Sequence, residues 1–178
     1  PHCPFHAPAA FIERYRGRFD HGWDEERRVI FERQKEMGVI PAGCDLPSRN
    51  EMVQAWDDLS DDERRLFARQ MEVYAGFVDH TDAQIGRLVA ALRELDVLDD
   101  TLLVFLSDNG ASAEGGLEGT FSELASLLGI QLGLKSTLSR IDEIGGPTSE
   151  PHVPVGWAWA MDAPFAWTKQ IASHFGGT

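Results

Sequence analysis

Thr101-Leu102-Leu103-Val104-Phe105-Leu106-Ser107-Asp108-Asn109-Gly110 is the stretch on which the fold turns. Its apolar run is short and continuous, with Asp99-Asp100 as a turn before it and Ser-Asp-Asn-Gly after it. A run of that length between turn signals predicts a strand buried on both faces in a parallel sheet. Upstream, Ser60-Asp61-Asp62-Glu63 forms an S-x-x-E capping box, in which side-chain oxygens satisfy the free amides of a helix's first turn. A long helix follows, with an apolar stripe through Phe67, Met71, Tyr74, Val78, Thr81, Ile85, Leu88, Leu92 and Leu95. Arg69, Glu72, Asp79 and Arg87 fall off that stripe, as expected of a solvated face. Helix then buried strand is half of an α/β repeat.

The flanks are less periodic. Residues 1–23 read as an irregular entry loop with a short helix near Ala9–Tyr15. Asp24 is placed to cap a helix over Glu25–Met37 that stops at Gly38. Pro41, Gly43 and Pro47 mark a loop, and a short helix is expected over Glu51–Asp57. Residues 111–156 read as a long excursion between sheet elements, with helices around Phe121–Leu128 and Leu134–Ile141. The aromatic segment 157–167 holds three of the five Trp, and 169–175 reads as strand or loop.

The 178 residues carry 16 Lys+Arg against 29 Asp+Glu, a formal charge of −13, and are 43% hydrophobic. That is enough apolar content for a core. Excess negative charge repels phosphate backbones and anionic headgroups, so nucleic acid and membrane surfaces are not expected partners. No run approaches the roughly 20 residues that span a bilayer. A small anion can still be held where a metal ion or a few cations reverse the field locally. Cys3 and Cys44 are too few for a disulfide framework, though a single bridge between them stays open, and neither has metal-ligand spacing. The chain opens Pro1-His2-Cys3-Pro4 without a targeting pattern and closes Gly176-Gly177-Thr178, so both ends suggest a piece of a longer protein, and its compartment is unassigned.

Asp108-Asn109-Gly110 is the strongest local candidate for chemistry. At the carboxyl end of a buried strand, Asp and Asn offer two hard oxygen ligands of the kind Ca²⁺ or Mg²⁺ prefers, although the same residues also build ordinary turns. His2 and His6 are four apart, but Pro4 disfavours the helix that would bring them to one face. Lys169 stands after an aromatic cluster, where a cation can meet an anionic substrate. Gly129 to Ser136 misses the phosphate-loop pattern because Leu134 separates glycine from lysine, and no G-x-S-x-G elbow occurs.

In order, His2-Cys3-Pro4-Phe5-His6-Ala7-Pro8, Tyr15-Arg16-Gly17-Arg18-Phe19-Asp20, Gly22-Trp23-Asp24, Phe31-Glu32-Arg33-Gln34-Lys35, Gln70 to Ala75, Asp82 to Leu88, Ser107 to Ser112 and Pro164-Phe165 to Lys169 make a specific set. It resembles the type I sulfatases, in particular the bacterial arylsulfatases of the alkaline-phosphatase-like superfamily. The resemblance implies an α/β sandwich with a mostly parallel central sheet flanked by helices, present here as an incomplete fragment, with residues 1–178 a partial catalytic domain.

It further implies sulfate ester hydrolysis. Asp108 and Asn109 would belong to a Ca²⁺ site, with Mg²⁺ the less expected ion, and His2 and Lys169 would contact the sulfate as catalytic residues; Asp82 is given a scaffold role. A divalent cation and a lysine neutralise the ester's charge, and a protonated histidine supplies the departing alcohol with a proton. The family's nucleophile is a formylglycine made within C-x-P-x-R, and neither Cys3 nor Cys44 offers that pattern. The reading is therefore a fragment of a sulfuric ester hydrolase, inactive alone, whose partners are a small sulfate ester and the rest of its own catalytic domain. The alternatives are a phosphoesterase or phosphonate hydrolase of the same superfamily, and a non-catalytic metal-binding α/β remnant.

Overall fold

The computed structural model describes residues 3–107, 109–130, 132–169 and 175–176. Their fold is built mainly from helices: α1 (Ala9–Ile12), α2 (Gly22–Glu36), α3 (Asp61–Glu94), α4 (Glu123–Leu127), α5 (Leu134–Leu138) and α6 (Val155–Met161), with short 3₁₀ turns between them. Among the described residues, β-type pairing is confined to two isolated bridges, Thr120 with His152 and Ser122 with Glu150.

The apolar run 101–106 is therefore not a paired strand here. Leu102 is 87% exposed and Phe105 88%, and no described segment lies alongside to form a ladder. A strand buried on both faces needs a hydrogen-bonded neighbour at each edge, and these residues supply neither. The expected central sheet is absent from the described residues.

The long helix starts as its sequence dictates. Ser60 Oγ accepts the Glu63 amide and the Glu63 carboxylate accepts the Ser60 amide, at 3.3 and 2.7 Å. This pairing holds the Glu63 carboxyl below the usual carboxylate range, the Ser60 side chain and then its backbone N–H being the main causes. Only the first half of the apolar stripe is covered. Phe67 and Met71 are buried, whereas Ile85, Leu88 and Leu95 are exposed. Arg69 and Glu72, expected on a solvated face, are buried against each other at 2.8 Å, with Glu13 on the far side of Arg69. The carboxylates pair both terminal nitrogens of the guanidinium, leaving Nε without a hydrogen-bond partner among the described residues, where α1 and its following turn pack on α3.

The core centres on aromatic rings. Trp157 of α6 is fully buried, lies 5.8 Å from Trp23 and 5.5 Å from Trp56, and donates its indole N–H to Phe67 O at 2.9 Å. Gly156 lets α6 approach Trp23, because a Cβ there would enter the indole. α2 begins at Gly22, three residues before the expected start, and Asp24 is not its cap. The Asp24 carboxylate instead accepts the Trp56 amide at 2.9 Å and pairs with Arg49 at 3.2 Å, fastening the 41–55 loop to α2. Where a helix was expected over Glu51–Asp57, the chain forms a turn and a 3₁₀ segment, Trp56–Asp58. Cys3 and Cys44 are both free thiols, so no bridge joins them.

Candidate functional site

The loop after residue 107 is held from two sides through one residue. The Ala111 amide donates to Asp162 Oδ1 at 2.8 Å, and the Ala111 carbonyl accepts the Lys169 amide at 3.0 Å. Asn109 and Lys169 thereby line one cavity of about 550 Å³, whose walls include Tyr74, Ser112, His152 and Asp162. His2, Asp108 and the His174 that follows Lys169 lie outside the described residues.

Asn109 donates its side-chain N–H to Gly110 O at 2.9 Å, which leaves its amide oxygen as the atom available to a cation. The second exceptional oxygen in this wall is Asp162 Oδ2, which is buried and has no hydrogen-bond partner among the described residues. Burial pushes the Asp162 carboxyl up to about 6, opposed by the Ala111 amide and by Arg27. An unsatisfied buried carboxylate oxygen in the same wall as the Asn109 amide oxygen makes this side of the cavity electronegative, which suits an oxygen-seeking cation such as Ca²⁺ held at the asparagine.

Behind Asp162 stands Arg27 of α2, 1% exposed. Its guanidinium donates to Trp159 O at 2.6 Å and to Phe165 O at 2.7 Å, the carbonyls on either side of Asp162 in sequence, and lies 4.3 Å above the Trp159 ring. Desolvation lowers Arg27 to about 10, and the charge of Asp162 works against that fall. The sequence reading missed this pair. One signal was present: Asp162 is the single charged residue in the aromatic segment 157–167, and a lone charge among apolar neighbours needs a partner.

Lys169 is engaged with Glu114, Nζ to Oε2 at 3.3 Å, and Glu114 also accepts the Ser112 hydroxyl at 2.8 Å. Ligand atoms of Glu114, Glu123 and His152 lie within 4.8 Å of one another, a grouping that positions so far apart in sequence do not announce. The lysine ammonium already supplies positive charge at its Glu114 corner. The nearby Cys3 thiol is pushed strongly up, by burial first and then by Glu123, Glu150 and Glu114, so it stays protonated and is a poor nucleophile. A separate cavity of about 430 Å³ is lined by Arg16, Arg64, Arg65 and Arg69. Glu13, Asp61 and Glu72 pair with three of these arginines, so its positive charge is largely neutralised internally.

A helix-rich scaffold presenting an Asn loop and a Lys loop to one cavity can bind a compact anion, given a cation beside the asparagine. The sulfatase family profile matches residues 1–155. An uncharacterised sulfatase of Schizosaccharomyces pombe is 33% identical over 99% of this chain, which corresponds to 31% of that protein. An arylsulfatase of Klebsiella aerogenes is 32% identical, again over 99% of this chain and over 36% of its own length. The chain belongs to the sulfatase family. It spans about a third of the length of these curated relatives.

Proposed function

We propose that these residues form part of the catalytic domain of a sulfuric ester hydrolase acting on small aryl or sugar sulfates. The observation that carries this reading is the shared cavity of Asn109 and Lys169, within a chain matching the sulfatase family over residues 1–155. Asp108 and Asn109 would hold a Ca²⁺, whose chemistry is neutralisation of the sulfate oxygens. Lys169, turning its ammonium from Glu114 to a sulfate oxygen, would add a second positive charge on the same anion and fix its orientation. His2 would donate a proton to the departing alcohol oxygen. The nucleophile, a formylglycine in the resemblance, belongs to polypeptide outside these 178 residues, as do the strands that would flank 101–106 in an alkaline-phosphatase-like sheet. The same polypeptide would cover Ile85, Leu88 and Leu95, making the rest of the catalytic domain the principal partner of this part. The acidic balance disfavours nucleic acid and anionic membranes as partners, and among the described residues no helix is long and apolar enough to cross a bilayer.

The test is Asn109→Ala in the full-length enzyme. Aryl sulfate turnover and Ca²⁺ affinity are expected to fall together, measured by p-nitrophenyl sulfate hydrolysis and by titration calorimetry. Wild-type values for both would remove Asn109 from the metal site. Full-length wild-type protein that cleaves p-nitrophenyl phosphate but not the sulfate would move the reading to phosphoryl chemistry.

A further inference from the structure

We propose that Asp162 is a positioning residue for this site, setting the Asn109 loop against the Lys169 loop so that the metal ligands and the lysine face the same anion. The inference rests on the sulfatase reading above and concerns a residue outside its metal and sulfate contacts. Three observations place Asp162 there. Its Oδ1 holds the Ala111 amide, two residues beyond Asn109, at 2.8 Å. The carbonyl of the same Ala111 holds the Lys169 amide at 3.0 Å, so a shift of Ala111 moves both loops. Gly110 packs directly on Asp162: a Cβ at Gly110 would lie 2.4 Å from Oδ1 and 2.6 Å from Oδ2, so the loop and the carboxylate are in close contact.

The backbone that carries the carboxylate is itself held. Asp162 caps the C-terminal end of α6, and Arg27 grips the Trp159 and Phe165 carbonyls that bracket it. Rigid support from both a helix end and a buried guanidinium is what a positioning group needs, because a metal ligand displaced by an ångström binds and reacts poorly. An outer partner of metal ligands typically controls about 10–100-fold of metal affinity or activity. Asp162→Ala removes the acceptor for the Ala111 amide, whereas Asp162→Asn retains an acceptor oxygen in nearly the same shape.

The experiment uses the full-length enzyme with three readouts: Ca²⁺ dissociation constant by calorimetry, kcat/KM for p-nitrophenyl sulfate, and melting temperature without metal. Asp162→Ala is expected to weaken Ca²⁺ binding and lower kcat/KM by about 10–100-fold, and Asp162→Asn to restore both to within about threefold of wild type. A purely structural role would instead lower the metal-free melting temperature of Asp162→Ala and leave the Ca²⁺ constant of the folded protein unchanged, which overturns the proposal. Asp162→Asn as defective as Asp162→Ala also overturns it, because the amide acceptor would then not be the operative feature. Should Asp162→Ala not fold, Asp162→Ser, polar but too short to reach Ala111, is read in its place against the same criteria. A wild-type enzyme that neither binds Ca²⁺ nor cleaves the sulfate ends the functional reading and this role with it; a competent wild type with an equally competent Asp162→Ala ends this role alone.

Discussion

Replacing Arg27 by Met keeps much of the side chain's volume and removes its guanidinium. Two charge-assisted hydrogen bonds disappear, to Trp159 O at 2.6 Å and Phe165 O at 2.7 Å, each worth roughly 1.5–3 kcal/mol. The stacking on the Trp159 ring at 4.3 Å contributes about 1–2 kcal/mol more in a desolvated setting. Against these losses stands the relief of burying a cation whose Nε has no partner among the described residues. The buried Trp159 carbonyl, the partly buried Phe165 carbonyl and the Asp162 carboxylate are left uncompensated, and breaking such an arrangement from one side costs about 3–5 kcal/mol. The expected result is a loss of that size in urea unfolding of the full-length protein, seen as a lower midpoint at unchanged slope. Arg27→Lys, which keeps the charge but not the fork that spans both carbonyls, is expected to fall between wild type and Arg27→Met. A loss below about 1 kcal/mol for Arg27→Met, within the range of ordinary surface changes, would refute the view that this residue braces the turn before Lys169.

Gly156→Ala sets two effects against each other: helix propensity favours Ala by about 0.5–1 kcal/mol, while its methyl would enter the Trp23 indole, which is 2% exposed. Packing is expected to win, with a net loss of about 2 kcal/mol in urea unfolding, and a stabilised variant would show that α6 does not press on Trp23 as described. Ser60→Ala removes the cap of α3 and is expected to cost about 1 kcal/mol at neutral pH. Because the Glu63 carboxyl is lowered in the folded state, its contribution is present above the ordinary carboxylate range and is lost as pH falls through its depressed value. The difference between Ser60→Ala and wild type in thermal melts should therefore narrow in acid; a gap that widens below pH 4 contradicts the capping box.

Where order was local, the sequence showed it. The capping box at Ser60 needs only residues within one turn, and α3 begins where that motif puts it. The short helices at Ala9, Glu123 and Leu134 likewise fall within their expected stretches. What was hidden depends on distant partners. Asp24 has the right chemistry for a helix cap, yet Trp56 and Arg49 recruit its carboxylate from 32 and 25 positions away. α6 gave no amphipathic period because nearly all of it is buried, and a helix covered on every side has no polar face to betray its turn. Residues 101–106 have a strand's composition, but pairing is a property of neighbours, and the described residues provide none. Asn109 and Lys169 were candidates from short motifs and line one cavity, whereas their link through Ala111 to Asp162 and Arg27 exists only in three dimensions.

The grip of Arg27 on the turn before Lys169 also orders events in time. Its two acceptors lie 132 and 138 residues further along the chain. At roughly 5–20 residues per second of synthesis, the guanidinium emerges on the order of 10 s before the carbonyls it serves. α2 can form and meet the 41–55 loop during that interval, but the cavity cannot acquire its final shape. Contacts of such separation carry a large closure cost and form late. This wall of the cavity is thus completed only once residue 165 has been made, and a ribosome pausing between residues 27 and 165 would hold a nascent chain whose Arg27 lacks both carbonyl acceptors.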